Sequence, residues 1–188
     1  MHFEENEIRE SSNPRTGTKI ILRCSSTLGI LFTGFMTIYI VFNFGTLTQF
    51  NYRKIAVIST LMQMLPLYIS ALSITYGSIK MRQGMEKGWG SLFFGSFVFV
   101  SFFATSIGSN LEKFISTSPD HPIWEMLLKI LVLLIFIFFG SVAIWLLSPA
   151  IRKFPDQKKI FLSFSLSAVA SLLTLGGFLI QKFYLQSF

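Results

Sequence analysis

LVLLIFIFF, at residues 131–139, is the most apolar stretch of this 188-residue chain. It lies within a longer run, residues 126–149, in which Lys129 is the only charged side chain. A helix needs roughly 17–25 mostly apolar residues to cross the hydrocarbon core of a bilayer. The backbone N–H and C=O groups of such a segment must pair within the protein. Because the run does not alternate polar and apolar residues as a barrel strand does, it predicts a transmembrane helix.

Four further runs have the same character, at residues 26–44, 55–79, 91–108 and 160–180. Charged residues make up only 13% of the chain, whereas a soluble domain carries about 25%. We therefore predict an all-α fold, a polytopic transmembrane helical bundle with five spans. A bundle of four spans is the alternative. Pro66 near the middle of the second run can bend that helix or make it re-enter, or one of the shorter runs can lie flat on the membrane.

Polar residues dominate positions 1–25, which we predict to be a cytoplasmic N-terminal segment ahead of a single transmembrane domain at 26–188. Lysine and arginine cluster before the first run, between the second and third runs, and between the fourth and fifth runs. With five spans these three stretches lie on the same side of the membrane. Since cytoplasmic segments carry the excess of lysine and arginine, we predict that the N-terminus is inside and the C-terminus outside.

Small and hydroxyl-bearing residues recur at helical spacing on one face of the fifth run. They are Ser163, Ser167, Ala170, Ser171, Thr174 and Gly177. Small side chains let two helix backbones approach closely, and hydroxyls can donate hydrogen bonds across the contact. We predict that this face packs against a helix of the same chain or of a second copy, and that the protein is a homo-oligomer. The short connection at 150–159 also predicts that the fourth and fifth helices are antiparallel neighbours.

Gln63 and Pro66 make the second run the most polar of the five. The interpretation that we favour is a contact between helices that polar side chains hold together, with the bend at Pro66 accommodated by packing. The alternative is that the bend beside Gln63 opens a water-filled path, which makes both residues candidate pore-lining positions.

Residues that can carry catalysis are scarce in the five runs. None of the runs contains an aspartate or glutamate, and the two histidines, His2 and His121, lie outside them. Buried carboxylates are typical of proton relays and ion pathways within membranes. We therefore predict that the chain is not an enzyme and that it binds no cofactor or metal. Cys24, the single cysteine, is interpreted as a small buried thiol, with lipidation as the alternative.

The net charge of +7 would favour nucleic acid as a partner in a soluble protein. Here the positive residues occupy short stretches between apolar runs, so we assign them to membrane orientation and to contacts with anionic lipid headgroups. We predict no direct contact with nucleic acid. A sharper hypothesis is that the basic loops dock a soluble cytoplasmic protein. The candidate docking residues are Lys80, Arg82, Lys87, Arg152, Lys153, Lys158 and Lys159.

In its small size, apolar layout, basic cytoplasmic loops and lack of catalytic residues, the chain resembles KwaA, the membrane subunit of the bacterial Kiwa anti-phage defence system. That family is described as having four spans, whereas five runs are present here. The resemblance implies a sensor and anchor in the bacterial inner membrane that oligomerises and recruits KwaB, a soluble nucleic-acid-binding partner. It implies no role for individual residues, since no motif is shared.

The function predicted from these features is a non-enzymatic oligomeric membrane scaffold or sensor that docks a soluble partner on its basic cytoplasmic loops. The alternatives are a small oligomeric ion channel or pore, and an accessory subunit of a transporter. The missing intramembrane carboxylates and the clustered positive charge favour the first hypothesis. Gln63, Pro66 and the hydroxyls of the fifth run favour a channel.

Overall fold

Five long α-helices make up the bundle. The computed structural model describes residues 16–49, 54–84, 87–109, 123–148, 151, 156–180 and 182–183. The helices are α1 (Thr16–Gln49), α2 (Lys54–Arg82), α3 (Lys87–Ser109), α4 (Ile123–Leu146) and α5 (Gln157–Ile180). All five are long and apolar enough to cross a membrane. The predicted all-α bundle with five spans is confirmed, and the chain is an integral membrane protein.

Helix α1 begins at Thr16, well before the apolar run that starts near residue 26. No proline lies between residues 15 and 49 to stop the helix, so it extends outward into the segment predicted to be polar. Lys19 and Arg23 therefore lie on a regular helix. Residues 1–15 of that predicted segment lie outside the described residues.

Helix α2 continues through Pro66 without a break, so the bend or re-entry of the second run on which a four-span bundle depended is not found. The helix ends at Arg82, and Gly84 follows with a φ of 74°. Its N–H donates to the carbonyl oxygen of Met81 at 3.0 Å. Glycine adopts this left-handed backbone without the steric penalty that a side chain would add.

Helices α2 and α3 form the central pair of the bundle. Helix α2 packs against α1, α3 and α5, and helix α3 packs against α2, α4 and α5. The two run antiparallel, because Gly77 near the end of α2 lies against Gly88 at the start of α3. Every other helix is thus held by one or both members of this pair.

The α2–α3 seam, formed by Ser70, Ile74 and Gly77 of α2 and Gly88, Leu92 and Gly95 of α3, brings two backbones into direct contact. A methyl group on Gly77 would overlap the backbone nitrogen of Leu92, and one on Gly95 would lie 2.7 Å from the carbonyl oxygen of Ser70. The hydroxyl of Ser70 donates to the carbonyl oxygen of Gly95 at 2.6 Å. Close backbone packing and interhelical hydrogen bonds are what drive association in lipid, and the seam has both.

Helix α1 lies against the seam through both partners. A methyl group on Gly29 would lie 3.1 Å from the backbone nitrogen of Thr75 on α2. The ring of Phe32 meets that of Phe99 on α3 edge to face, with 4.9 Å between centroids. Edge-to-face geometry is a preferred arrangement of aromatic pairs, so this contact fixes α1 against α3 as well as α2.

Helix α4 is the most peripheral helix of the bundle. Its C-terminal end is attached to α3. The indole N–H of Trp89 on α3 donates to the carbonyl oxygen of Leu146 at 3.1 Å. The rings of Phe99 and Phe139 lie 4.8 Å apart. Most of the side chains described in the N-terminal half of α4 are exposed, which agrees with a surface facing lipid.

The fourth and fifth helices run antiparallel, as the short connection predicts, but they are not main packing partners in the part of the chain that the structure describes. Helix α5 packs against α2 and α3, and α4 packs against α3. A short connection fixes only that two helix ends lie at the same end of a bundle. The α2–α3 pair offers α5 a wider surface than the single helix α4 does.

Substituting Gly77 with alanine tests the dependence of the bundle on the seam. The added methyl group meets backbone atoms that cannot rotate away, so we expect a loss of about 1–3 kcal/mol in stability. Gly34→Ala is the matched control, since a methyl group there meets nothing within 4 Å. Alanine is the better helix former at both positions, so thermal unfolding in detergent should show a lower midpoint for Gly77→Ala alone. Equal midpoints for the two variants would contradict the role of the seam.

Candidate functional site

Contacts between helices define the two ends of the bundle. Trp89 near the start of α3 bonds to Leu146 at the end of α4. Gly90 of α3 lies against Ser163 near the start of α5. Together with the pairing of Gly77 and Gly88, these contacts place the starts of α3 and α5 beside the ends of α2 and α4. The contacts that α1 makes with α2 and α3, through Gly29 and Phe32, place the start of α1 at the same end.

Basic side chains from three helices gather at this end, which we name the basic end. They are Lys19 and Arg23 of α1, Lys80 and Arg82 of α2, and Lys158 and Lys159 of α5. Lys19 and Lys80 are half-buried and the other four are exposed. The structure thus brings together four of the predicted docking residues. The side chain of Lys87, and residues Arg152 and Lys153, lie outside the described part of the chain.

The two lysines at the N-terminus of α5 lie at the end of a helix that disfavours positive charge. Lys158 and Lys159 occupy the first turn, and the N-terminus of a helix carries partial positive charge. Asp156 precedes the turn, and its carboxylate lies 3.6 Å from the ammonium group of Lys159. Both side chains are well exposed, so this ion pair contributes little. The helix terminus and the lysines therefore combine into a surface that attracts anions.

Within the described residues, acidic groups barely offset the charge of the basic end. Among the side chains that the structure describes, Asp156 is the only carboxylate. The ammonium group of Lys80 lies over the ring of Tyr76, 5.8 Å from its centroid, which holds the lysine near the helix without neutralising it. The described part of this end is strongly positive.

Cys24 lies beside Arg23 on α1 and is exposed. The interpretation of this residue as a buried thiol is therefore wrong. The packed face of α1 passes through Leu22 and Ser25, which are both buried. Cys24 falls between them on the helix and points away from the bundle.

The predicted packing face of α5 lies in the groove between α2 and α3. Five of its six residues are buried, and Ser171 is half-buried. The hydroxyls of Ser167, Ser171 and Thr174 donate to carbonyl oxygens four residues earlier in α5, at 2.6–2.9 Å. They are therefore satisfied within their own helix. Within one chain, this face therefore packs against α2 and α3.

Gln63 and Pro66, the candidate pore-lining residues, are both buried. The hydroxyl of Ser59, one turn before Gln63, donates to the carbonyl oxygen of Gly177 on α5 at 3.0 Å. The amide nitrogen of Gln63 lies 3.5 Å from that hydroxyl oxygen. A methyl group on Gly177 would come within 2.8 Å of the Gln63 side chain. In a single chain Gln63 therefore takes part in a tight polar contact between α2 and α5.

Comparison of the chain with protein-family models, curated proteins and solved structures gives no match. The resemblance to the Kiwa membrane subunit therefore stays a prediction. Among the described residues no cluster of histidine, cysteine, aspartate or glutamate could hold a metal ion. The basic end is the feature of this bundle best suited to an interaction.

Ser59→Ala tests the contact between α2 and α5. Removing the hydroxyl leaves the Gly177 carbonyl without this donor, and we expect a loss of about 1 kcal/mol, within the range for hydrogen bonds between membrane helices. Ser141→Ala is the matched control, because the Ser141 hydroxyl is exposed and donates to Ile137 of its own helix. Thermal unfolding in mild detergent would measure both. An equal effect of the two changes would show that the contact adds no stability.

Proposed function

We propose that the protein is a non-enzymatic membrane scaffold whose basic end binds an acidic soluble protein. One observation carries this proposal, the convergence of exposed cations from α1, α2 and α5 on one end of the bundle. Surfaces of one charge sign raise the local concentration and association rate of partners with the opposite sign. A partner with an acidic patch fits this surface best.

The position of the α5 lysines supports a role beyond membrane orientation. Orientation depends on lysine and arginine anywhere within about 15–20 residues of a span. It does not need two lysines in the first turn, where they oppose the helix dipole. Lys158 and Lys159 therefore suit the recognition of an anionic group, with lipid headgroups as further contacts of the same surface.

The resemblance to the Kiwa membrane subunit supplies one form of this proposal. It implies a membrane anchor in the bacterial inner membrane that oligomerises and recruits a soluble partner acting on nucleic acid. The nucleic acid would then contact the partner and not this chain. The described bundle supports an anchor because most of its described lysine and arginine side chains lie at one end.

Two double variants test whether the basic end binds a partner. One carries Lys80→Gln with Arg82→Gln, and the other carries Lys158→Gln with Lys159→Gln. Each double variant removes two positive charges, and each cation near an interface contributes about 1 kcal/mol or less to binding. We therefore expect about tenfold less soluble partner to copurify after mild crosslinking in native cells. Lys182→Gln is the matched control, because Lys182 lies at the opposite end of the bundle. Quantitative mass spectrometry would compare the samples. An unchanged or absent soluble partner would overturn the proposal.

Cysteine labelling tests whether the basic end faces the cytoplasm. In a Cys24→Ser background, Lys159→Cys and Lys182→Cys place one thiol at each end of the bundle. A maleimide that cannot cross membranes should label Lys182→Cys in intact cells and Lys159→Cys only after lysis. The reverse pattern would place the basic end outside and remove the basis for a cytoplasmic partner.

A further inference from the structure

A cleft of about 440 Å³ opens between the C-terminal ends of α3 and α5, at the end of the bundle opposite the basic end. The cleft is a groove open to its surroundings along one side, not an enclosed cavity. The residues that line it are Ala104, Thr105 and Gly108 of α3 and Leu175, Phe178, Leu179 and Lys182 at the end of α5.

Missing side-chain volume on α3 creates the cleft. Ala104 and Gly108 are one turn apart, and a methyl group on Gly108 would meet nothing within 4 Å. On the α5 side, Phe178 packs against Phe102 with 5.6 Å between centroids, which holds the two helices at this distance. The Thr105 hydroxyl donates to the carbonyl oxygen of Ser101 at 2.8 Å. Because this hydroxyl is already hydrogen-bonded within α3, it offers no free donor to a ligand. The lining of the cleft is therefore apolar except at Lys182.

The cleft runs from the membrane surface into the hydrocarbon. The apolar span of α5 ends at Ile180, so Lys182 lies at the level of the headgroups. Leu175 is about two turns earlier, which at about 1.5 Å per residue places it about 10 Å deeper. A positive charge at the mouth and an apolar wall below it match the two parts of a lipid.

We propose that this cleft binds an anionic phospholipid, with the phosphate at Lys182 and one acyl chain along Leu175, Phe178 and Leu179. Lys182 is exposed, and no acidic side chain is described at this end of the bundle. The phosphate of an anionic headgroup complements the charge of Lys182. A helix from a second copy of this chain would fill the apolar part, and the described residues at this end offer no carboxylate to place beside the lysine.

A photoreactive phosphatidylglycerol with a diazirine on its acyl chain tests the site. The full-length protein is placed in nanodiscs of phosphatidylcholine, and crosslinked peptides are mapped by mass spectrometry. We expect crosslinks to concentrate on residues 104–108 and 175–179. Unlabelled phosphatidylglycerol should compete at a roughly fivefold lower concentration than phosphatidylcholine, as one lysine near the surface provides.

Two variants separate the charge from the cleft. Lys182→Gln should remove the preference for the anionic lipid while the crosslinks stay in place, whereas Lys129→Gln, near the start of α4 and outside the lining of the cleft, should keep the preference. Gly108→Leu should fill the cleft and lower crosslinking several-fold, whereas Gly140→Leu, at an open glycine of α4, should not. Size-exclusion profiles check folding. If Gly108→Leu does not fold, the comparison of Lys182→Gln with its control lysine variant still tests the proposal.

Three results would overturn the proposal. Crosslinks could spread evenly over the exposed faces of α1 and α4, which would show ordinary lipid contact. Equal competition by the two lipids with the wild-type protein would remove the role of Lys182. Crosslinks that join two copies of the chain across the cleft would assign it to an interface between protomers.

Discussion

Direct contact between the backbones of α2 and α3 is the constraint on which the rest of the bundle depends. In lipid, apolar side chains gain little by leaving one hydrocarbon surface for another, so helices associate through close packing and hydrogen bonds. Gly77, Gly88 and Gly95 permit the approach, and Ser70 adds a hydrogen bond across it. Helices α1 and α5 then pack on both members of this pair, and α4 packs on α3.

The number and type of the helices could be predicted from the sequence because length and apolarity suffice to specify a span. Details that depend on which helices meet were harder to predict. The apolar run predicts a first span that begins near residue 26, whereas α1 begins at Thr16. Apolarity indicates which residues contact the hydrocarbon, and a helix can continue beyond them. The supposed contact between α4 and α5 came from loop length, which constrains the ends of helices and not the surfaces on which they pack.

The seam has a weak signal in the sequence. Ser70 and Gly77 are seven residues apart on α2, and Gly88 and Gly95 are seven apart on α3, so each pair lies on one face two turns apart. The row of small residues on α5 is denser and gives a stronger signal, and it packs into a groove that the seam creates. Among the site residues, the charges could be read directly from the sequence. The burial of Gln63 required knowing that Gly177 lies opposite it.

The attachment of α4 to α3 alone has a consequence for biosynthesis. Helix α5 is translated after α4, yet its place lies between α2 and α3. While residues 123–146 enter the bilayer, that groove must stay vacant until the ribosome has delivered the last helix. The Trp89 indole holds α4 by the carbonyl oxygen of Leu146, its last residue. This attachment leaves the groove open, so the order of translation does not obstruct assembly.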